Sequence, residues 1–210
     1  DKNNFLACFP MKGDGHFRLV GAVPLSLLNK PDLSFEDILI DLLPKLNFDL
    51  QLQNVKWFAT YKIHHRVVHN FQRGRCFLAG DAAHIHSPAG GQGMNVSMAD
   101  TFNLGWKLAA VLRGQSPSEL LDTYSTERCA KAQGLIDFDR DMARPFSEKP
   151  KTMEDAARFQ AYFKKHGRYT AGVETRYEPS LITGDANHQH LATGFPVGQR
   201  FHSGPVVRLA

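Results

Sequence analysis

No apolar run in this sequence approaches the ~20 residues a helix needs to cross a bilayer, so a helical membrane span is excluded. The opening, Asp1-Lys2-Asn3-Asn4, has no basic stretch followed by an apolar one and is no secretory leader; it also lacks an initiator methionine. Like charges form no block. The 25 Lys+Arg and 21 Asp+Glu residues are scattered, with a net charge of +4. A nucleic-acid footprint needs a basic stripe interleaved with aromatics, and none is present. Cysteine is scarce: Cys8, Cys76 and Cys129, with no Cys-x-x-Cys spacing. That pattern fits a reducing, cytoplasmic setting rather than a disulfide framework. Cys8 and Cys76 lie in apolar runs and read as core thiols. There is no internal repeat and no low-complexity tract. What remains is ordinary folded composition, 42% hydrophobic and 22% charged over 210 residues, enough for one good core or two small ones.

Residues 3–24 read as a hairpin. Phe5 to Phe9 is apolar, Lys12-Gly13-Asp14-Gly15 is turn chemistry, and Phe17 to Val23 returns, ended by Pro24. Ser34 and Asp37 form a capping box for a helix with Ile38, Leu39, Leu42, Leu43 and Leu46 on one face, Pro44 disturbing its last turn. Residues 52–70 are rich in strand formers and predict one or two strands. Arg75 to Gly80 is nearly continuously apolar, the pattern of a strand buried on both faces in a parallel sheet. A Gly/Pro-rich loop spans Asp81 to Gly93. A helix from Met94 to Arg113 is stopped by Gly114. Ser116-Pro117-Ser118-Glu119 opens the next, with proline in its first turn and a capping box. Its apolar members are Leu120, Leu121, Tyr124, Leu135, Ile136 and Phe138. A third helix, opened by Thr152 to Asp155, carries Phe159, Tyr162 and Phe163 and ends at Gly167. Residues 168–210 show little pattern, and the two ends suggest a piece of a longer protein.

The chemistry concentrates in Gly74 to Lys107. Asp81 stands at the carboxyl end of the expected buried strand, where open α/β sheets bind ligands. It can accept hydrogen bonds from sugar hydroxyls, or simply cap the following turn. Gly90, Gly91 and Gly93 let a backbone approach a flat ligand, or form a plain flexible loop. The helix after Gly93 has no Ser, Thr or Asp at its cap. Its first amides therefore need a partner, which a ligand carbonyl, a developing anion or water can supply. His84-x-His86 could suggest a metal site, but no acidic ligand follows at a familiar spacing, and no metal is expected. Trp57, Phe58 and Tyr61 could line an aromatic pocket or pack a core.

The stretch Gly74, Arg75, Leu78, Gly80-Asp81-Ala82-Ala83-His84, Pro88, Gly90-Gly91-Gln92-Gly93, Asn95, Asp100, Asn103-Leu104, Trp106-Lys107-Leu108 resembles the second FAD-binding motif of the class A flavoprotein aromatic monooxygenases, the 4-hydroxybenzoate hydroxylase-like family. His86-Ser87-Pro88 and Met94 to Met98 look most like its phenol hydroxylase branch. The resemblance implies an α/β fold: an α+β substrate sheet plus part of a Rossmann-like FAD domain, as a fragment of a larger flavoprotein. It divides the chain into substrate sheet (1–70), carboxyl-side FAD domain (71–145), helical segment and linker (146–195) and the start of a thioredoxin-like third domain (196–210). By the same resemblance Asp81 holds a ribityl hydroxyl and the Pro88 carbonyl lies near the reactive flavin edge. Amides of the loop Gly91-Gln92-Gly93 and of Met94 and Asn95 meet flavin N1 and O2. Arg18 aligns with an arginine that contacts the flavin.

The chain also departs from the pattern. Relatives that hydroxylate simple phenols often have tyrosine where Val20 stands, and arginine at the place of Met11 or Lys12. Lys12 can pair with a substrate carboxylate or remain solvated; with Val20 and Tyr61 it is a weak substrate-side candidate. The Gly-x-Gly-x-x-Gly fingerprint that grips the FAD pyrophosphate is absent from these residues, so the chain alone is expected to bind FAD poorly. The implied activity is hydroxylation of a phenolic ring with NADH or NADPH and O2 through a flavin C4a-hydroperoxide, without a side-chain nucleophile. A flavin epoxidase, or a non-catalytic module retaining the scaffold, stays open beside it. Expected partners are a small aromatic substrate, O2 and NAD(P)H, with no nucleic acid or membrane and a homodimer as a further possibility.

Overall fold

The computed structural model describes residues 6–201 apart from 14, 46–51, 89, 148–151 and 192–193. They fall into two compact units, Asp1–Lys62 and Ile63–Ala210, taken here one at a time.

In the first unit, β1 (Leu6–Pro10) and β2 (Phe17–Gly21) form the expected antiparallel hairpin, in the register Leu6↔Gly21 to Pro10↔Phe17. Met11 N–H closes the turn on the His16 carbonyl at 2.8 Å; Asp14 lies outside the described residues. Cys8 is exposed rather than buried, because no second layer covers this ladder among the described residues. Helix α1 (Phe35–Leu42) carries the capping box as read: Ser34 Oγ accepts from Asp37 N–H at 3.2 Å, and Asp37 Oδ2 accepts from Ser34 N–H at 3.0 Å. Past Leu42 the chain tightens into a 3-10 turn, Leu43–Lys45, around Pro44; Leu46 lies outside the described residues. The strands expected over 52–70 do not form apart from the two-residue strand Arg66–Val67, which belongs to the second unit. β-propensity is realised only against a partner, and Asn54 turns left-handed at φ 56°. Trp57 and Tyr61 are exposed, at 72% and 64%, while Phe58 meets the Phe35 ring at 5.8 Å.

In the second unit, β3 (Arg66–Val67) pairs antiparallel with β6 (His84–Ile85), and β4 (Gln72–Arg73) with β5 (Cys76–Phe77). The Arg75–Gly80 run is thus not a doubly buried parallel strand here. The left-handed Gly74 (φ 58°) folds it back on its own neighbour, leaving Cys76 exposed. Helix α2 (Gly93–Leu112) ends as expected before Gly114, at φ 67°. Then comes a 3-10 turn, Ser118–Leu121, before α3 (Asp122–Ser147). The second capping box fails. Pro117 stands at the cap position, one residue before the first turn, and Ser118 Oγ spends its bond on Glu119 at 3.2 Å. Helix α4 (Met153–Thr170) runs through Gly167 and stops at Gly172, φ 69°, where the N–H groups of Gly172 and Val173 bond the carbonyls of Tyr169 and Arg168, a Schellman cap. Tyr162 stacks on Phe138; the side chains of Phe159 and Phe163 lie outside the described residues, as does the stretch 202–210. No helix among the described residues is long and apolar enough to cross a membrane.

Leu120, Tyr124, Leu135, Ile136 and Phe138 are buried as the pattern predicts. The most deeply buried residues of α2 are not apolar. They are Asp100, Asn103 and Lys107, one stripe at i, i+3, i+7. Arg128 Nε on α3 donates to Asp100 Oδ1 at 2.6 Å, and His84 Nε2 and Gly80 N–H reach Asp100 Oδ2 at 2.8 and 3.0 Å. Asn103 and Lys107 both donate to Glu127 Oε2 at 2.7 Å. Arg128 also donates to the Val96 carbonyl at 3.2 Å and to the Tyr177 hydroxyl at 3.1 Å. Of the apolar side chains of α2, Val96 and Leu104 pack half-buried against the core, while Met94, Met98, Phe102 and Trp106 are exposed.

Burial alone would raise the Asp100 carboxyl, but the donors His84, Gly80 N–H and Arg128 outweigh it and hold it below its ordinary 3.8. Its stabilising contribution is therefore present above the unfolded value and lost as pH falls through the lower, folded one. Replacing Asp100 by Ala strands the buried Arg128 charge. We expect a loss of about 3–5 kcal/mol in urea denaturation at neutral pH, with the difference from wild type shrinking in acid.

Candidate functional site

The chain leaves β5 through Gly80, whose φ of 59° turns it into a short helical turn, Gly80–Ala82. Asp81 is exposed there. It does not cap the turn, since Ala79 holds that position and no side-chain cap bond forms. After β6 come Ser87, which is buried, and Pro88, whose carbonyl accepts Gly91 N–H at 3.0 Å. Three residues of this loop converge on one carboxylate of α3. Ser87 Oγ donates to Asp139 Oδ2 at 2.6 Å, Gly90 N–H to Oδ1 at 3.1 Å, and His86 Nδ1 lies 3.5 Å from Oδ2. His65 Nε2 approaches the same oxygen at 3.7 Å. Burial works to raise the Asp139 carboxyl, yet His86, Ser87 and Gly90 N–H hold it below its ordinary value.

The glycines prove to serve two different ends. A Cβ on Gly90 would stand 2.7 Å from Phe138 Cε1 and 3.0 Å from Asp139 Oδ1; one on Gly93 would stand 2.6 Å from His86 Cε1. Those two positions are cleared for the protein's own side chains rather than for a ligand. Gly91 meets nothing within 4 Å but needs φ 63°.

Helix α2 begins without a cap. Gln92 holds the N-cap position with helical angles (φ −99°, ψ −8°) and makes no side-chain cap bond. The first helical bond is Val96 N–H to Gln92 carbonyl, 3.0 Å. Among the described residues the amides of Gly93, Met94 and Asn95 take no partner. Three N–H groups thus stand at the positive end of a 20-residue helix, the arrangement that binds anions and carbonyl oxygens. His86 packs against the first of these residues, Gly93, and its Nδ1 donates to the Ser87 carbonyl at 2.8 Å. The hydrogen bond to Asp139 raises its pKa against the opposing effect of burial, and Asp81 adds to the rise.

Asp81, Pro88, Gly91, Gln92, Gly93, Met94 and Asn95 therefore belong to one loop-and-helix start. Arg18, Lys12, Val20 and Tyr61 belong to the other unit, where Arg18, Lys12 and Tyr61 are exposed and Val20 is half-buried. His84 and His86 turn to different carboxylates, Asp100 and Asp139. No group of three or more His, Cys, Asp or Glu side chains that could hold a metal occurs among the described residues. Asp139 and Arg128 escaped sequence reasoning. For Asp139 a signal existed: it lies four residues after buried Leu135 and three after buried Ile136, so the helical period turns it inward.

A family described as FAD binding domain matches residues 1–139. This chain belongs to that family. It is 52% identical over 179 residues to 3-hydroxybenzoate 4-monooxygenase of Comamonas testosteroni, covering 78% of this chain and 28% of that protein. Phenol 2-monooxygenase of Aspergillus fumigatus is 42% identical over 159 residues, covering 73% of this chain and 26% of that protein. The chain thus spans little more than a quarter of the length of these curated relatives. Among solved structures, CabE, an aromatic hydroxylase from angucycline biosynthesis, superposes with a TM-score of 0.62 at 30% identity, covering 83% of this chain and 37% of that one. OxyS, the anhydrotetracycline hydroxylase of Streptomyces rimosus, gives 0.66 at 28% identity, covering 84% and 36%. The cofactor of this family is FAD, and the fold is that of the FAD-dependent hydroxylases. The site fits the flavin end of FAD: unpartnered amides, an exposed carboxylate close by, and a main chain bare of side chains at Gly91.

Gly90→Ala is expected to cost about 1–3 kcal/mol by overpacking against Phe138. Gly105→Ala, in the open middle of α2, is expected to stabilise by about 0.5–1 kcal/mol. Paired thermal melts of the two variants test both signs.

Proposed function

We propose that these residues form the flavin-ring side of an FAD-dependent monooxygenase that hydroxylates a phenolic acid, using NAD(P)H and O2. The observation that carries this is the uncapped start of α2 beside Asp81, in a chain of the FAD binding domain family. Bound FAD supplies the oxygen activation and the transfer of hydroxyl to the ring. The chain's own residues bind, orient and shield. Asp81 takes a ribityl hydroxyl. Amides at Gly93, Met94 and Asn95 donate to N1 and O2 of the flavin, and the helix dipole favours negative charge there. Gly91 and Gln92 shape the loop, and the Pro88 carbonyl, already holding Gly91 N–H, lies towards the reactive edge. The family resemblance adds Arg18, in the substrate-sheet part (residues 1–70 in this reading), as a further flavin candidate.

The substrate class follows from the same unit. The Comamonas relative is named for a hydroxybenzoate, a phenol that carries a carboxylate. Lys12 is exposed in the hairpin turn and supplies a cation for such a group, while Val20 and Tyr61 offer apolar and aromatic surface for the ring. The three free thiols, two of them exposed, support a reducing, cytoplasmic setting.

In the full-length protein, Asp81→Ala is expected to abolish retention of FAD through gel filtration and, with it, incorporation of label from oxygen-18 gas into product. Full retention and activity would remove Asp81 from flavin binding. Lys12→Ala is expected to raise KM for 3-hydroxybenzoate by roughly 10–100-fold, the worth of a charged hydrogen bond, and to leave KM for unsubstituted phenol unchanged. An equal effect on both would remove Lys12 from carboxylate recognition.

A further inference from the structure

The His86–Asp139 pair is more than a loop anchor. The His86 side chain is nine-tenths buried, at 9% exposure. Because Nδ1 donates to the Ser87 carbonyl, that nitrogen keeps its proton and the tautomer is fixed. A further proton can enter only at Nε2. That atom lies against the backbone of Gly93, 2.7 Å from where a Cβ would stand. It is therefore packed against the first residue of α2. The groups around the ring come from every neighbouring element. Asp139 on α3 faces Nδ1 at 3.5 Å, and Asp81 acts from the Gly80–Ala82 turn. The His84 ring of β6 stacks at 6.2 Å between centroids. His65 Nε2 approaches the same Asp139 Oδ2 at 3.7 Å. Two carboxylates favour the protonated ring, and the positive end of α2 opposes it. An anion bound to the α2 amides would remove that opposition.

We propose that His86, oriented by Asp139, is a charge-compensating positioning residue that takes up a proton at Nε2 when the flavin against the α2 amides becomes anionic. This rests on the FAD function proposed above. The charges balance as follows. The nicotinamide gives up a hydride, two electrons and one proton, and becomes oxidised; the reduced flavin is left with one added negative charge. A proton from solvent, held on His86 beside the amide cluster, neutralises it. By linkage, the same coupling makes the protonated imidazole draw the flavin towards its reduced form.

The test is the midpoint potential of FAD in the full-length flavoprotein, wild type against His86→Gln, across pH 6–9. Below the His86 pKa the variant is expected to be more negative by about tenfold in the reduction equilibrium, ~30 mV for a two-electron couple. The gap should close as pH rises and wild-type His86 loses its proton. A gap that does not vary with pH, as a purely structural role would give, or no gap at all, overturns the proposal. Should the variant not fold, histidine ring resonances of the wild-type flavoprotein decide: one histidine must titrate at higher pH in reduced than in oxidised enzyme, and none moving overturns it. A wild-type protein that never holds FAD sinks the function proposed above and this inference together; a flavoprotein with unmoved potentials sinks this inference alone.

Discussion

Two buried carboxylates fix the loop on which everything else stands. Asp100 takes hold of its entry through Gly80 N–H and His84, and ties both to α3 through Arg128. Asp139 takes hold of its middle through Ser87 and Gly90 N–H. Arg128 then reaches the Val96 carbonyl in the first turns of α2. The main chain between Gly80 and Asn95 is thus pinned before its strand, within its bend and after its helix starts. None of these pins uses the α2 amides that remain open.

Such a network is a poor source of net stability. Withdrawing several charges from water costs nearly as much as their attraction returns, and an apolar core of equal volume would serve as well or better. What charged, directional bonds give is a single geometry. A Leu in place of Asp100 could pack in several rotamers; a carboxylate bound by an imidazole, a guanidinium and an amide has one position. Sub-ångström placement of a binding backbone needs that kind of support from behind. The inner face of α2 carries Asp100, Asn103 and Lys107 where a helix of ordinary design carries leucines, and the leftover orphans, His84 Nδ1, Asn103 Oδ1 and Glu127 Oε1, measure what that choice costs in unmet bonds.

Most signals whose deciding partner lies a few residues away are met, the capping box expected at Ser116 to Glu119 being an exception. Ser34 and Asp37 announce a capping box, Gly114 a helix end, and Leu120, Tyr124, Leu135, Ile136 and Phe138 one buried face, and each is found. Signals that need a distant partner misled. The Val- and aromatic-rich stretch from 52 to 65 has the residues of a strand but no described neighbour to pair with. Cys8 and Cys76 sit in apolar runs, yet only a covering layer makes an apolar run a core. Gly167 looked like a stop, but Gly172 supplied both left-handed backbone and the two Schellman bonds. At the loop, the glycine pattern alone does not separate room for a ligand from the room at Gly90 and Gly93 that Phe138, Asp139 and His86 occupy. Asp139 itself was visible only as a helical period carrying an acid inward.

Two helix starts in this chain make a controlled comparison. At α1, Ser34 and Asp37 satisfy two orphan donors between them. At α2, more than twice as long, the cap position holds Gln92, whose amide turns back to the Gly90 carbonyl at 3.4 Å and whose oxygen takes Asn95 Nδ2 at 3.5 Å. A Ser, Thr or Asp at 92 would contribute about 1 kcal/mol and would place an oxygen where a ligand oxygen must come. The sequence can evidently write a capping box, and it does so where nothing competes for the amides. Leaving them open at α2, while investing two buried carboxylates in holding their backbone still, is the pattern of a binding site kept at the expense of local stability. The uncapped helix and the charged interior are therefore one feature, since open amides serve the flavin role proposed for them only if the chain that aims them cannot move.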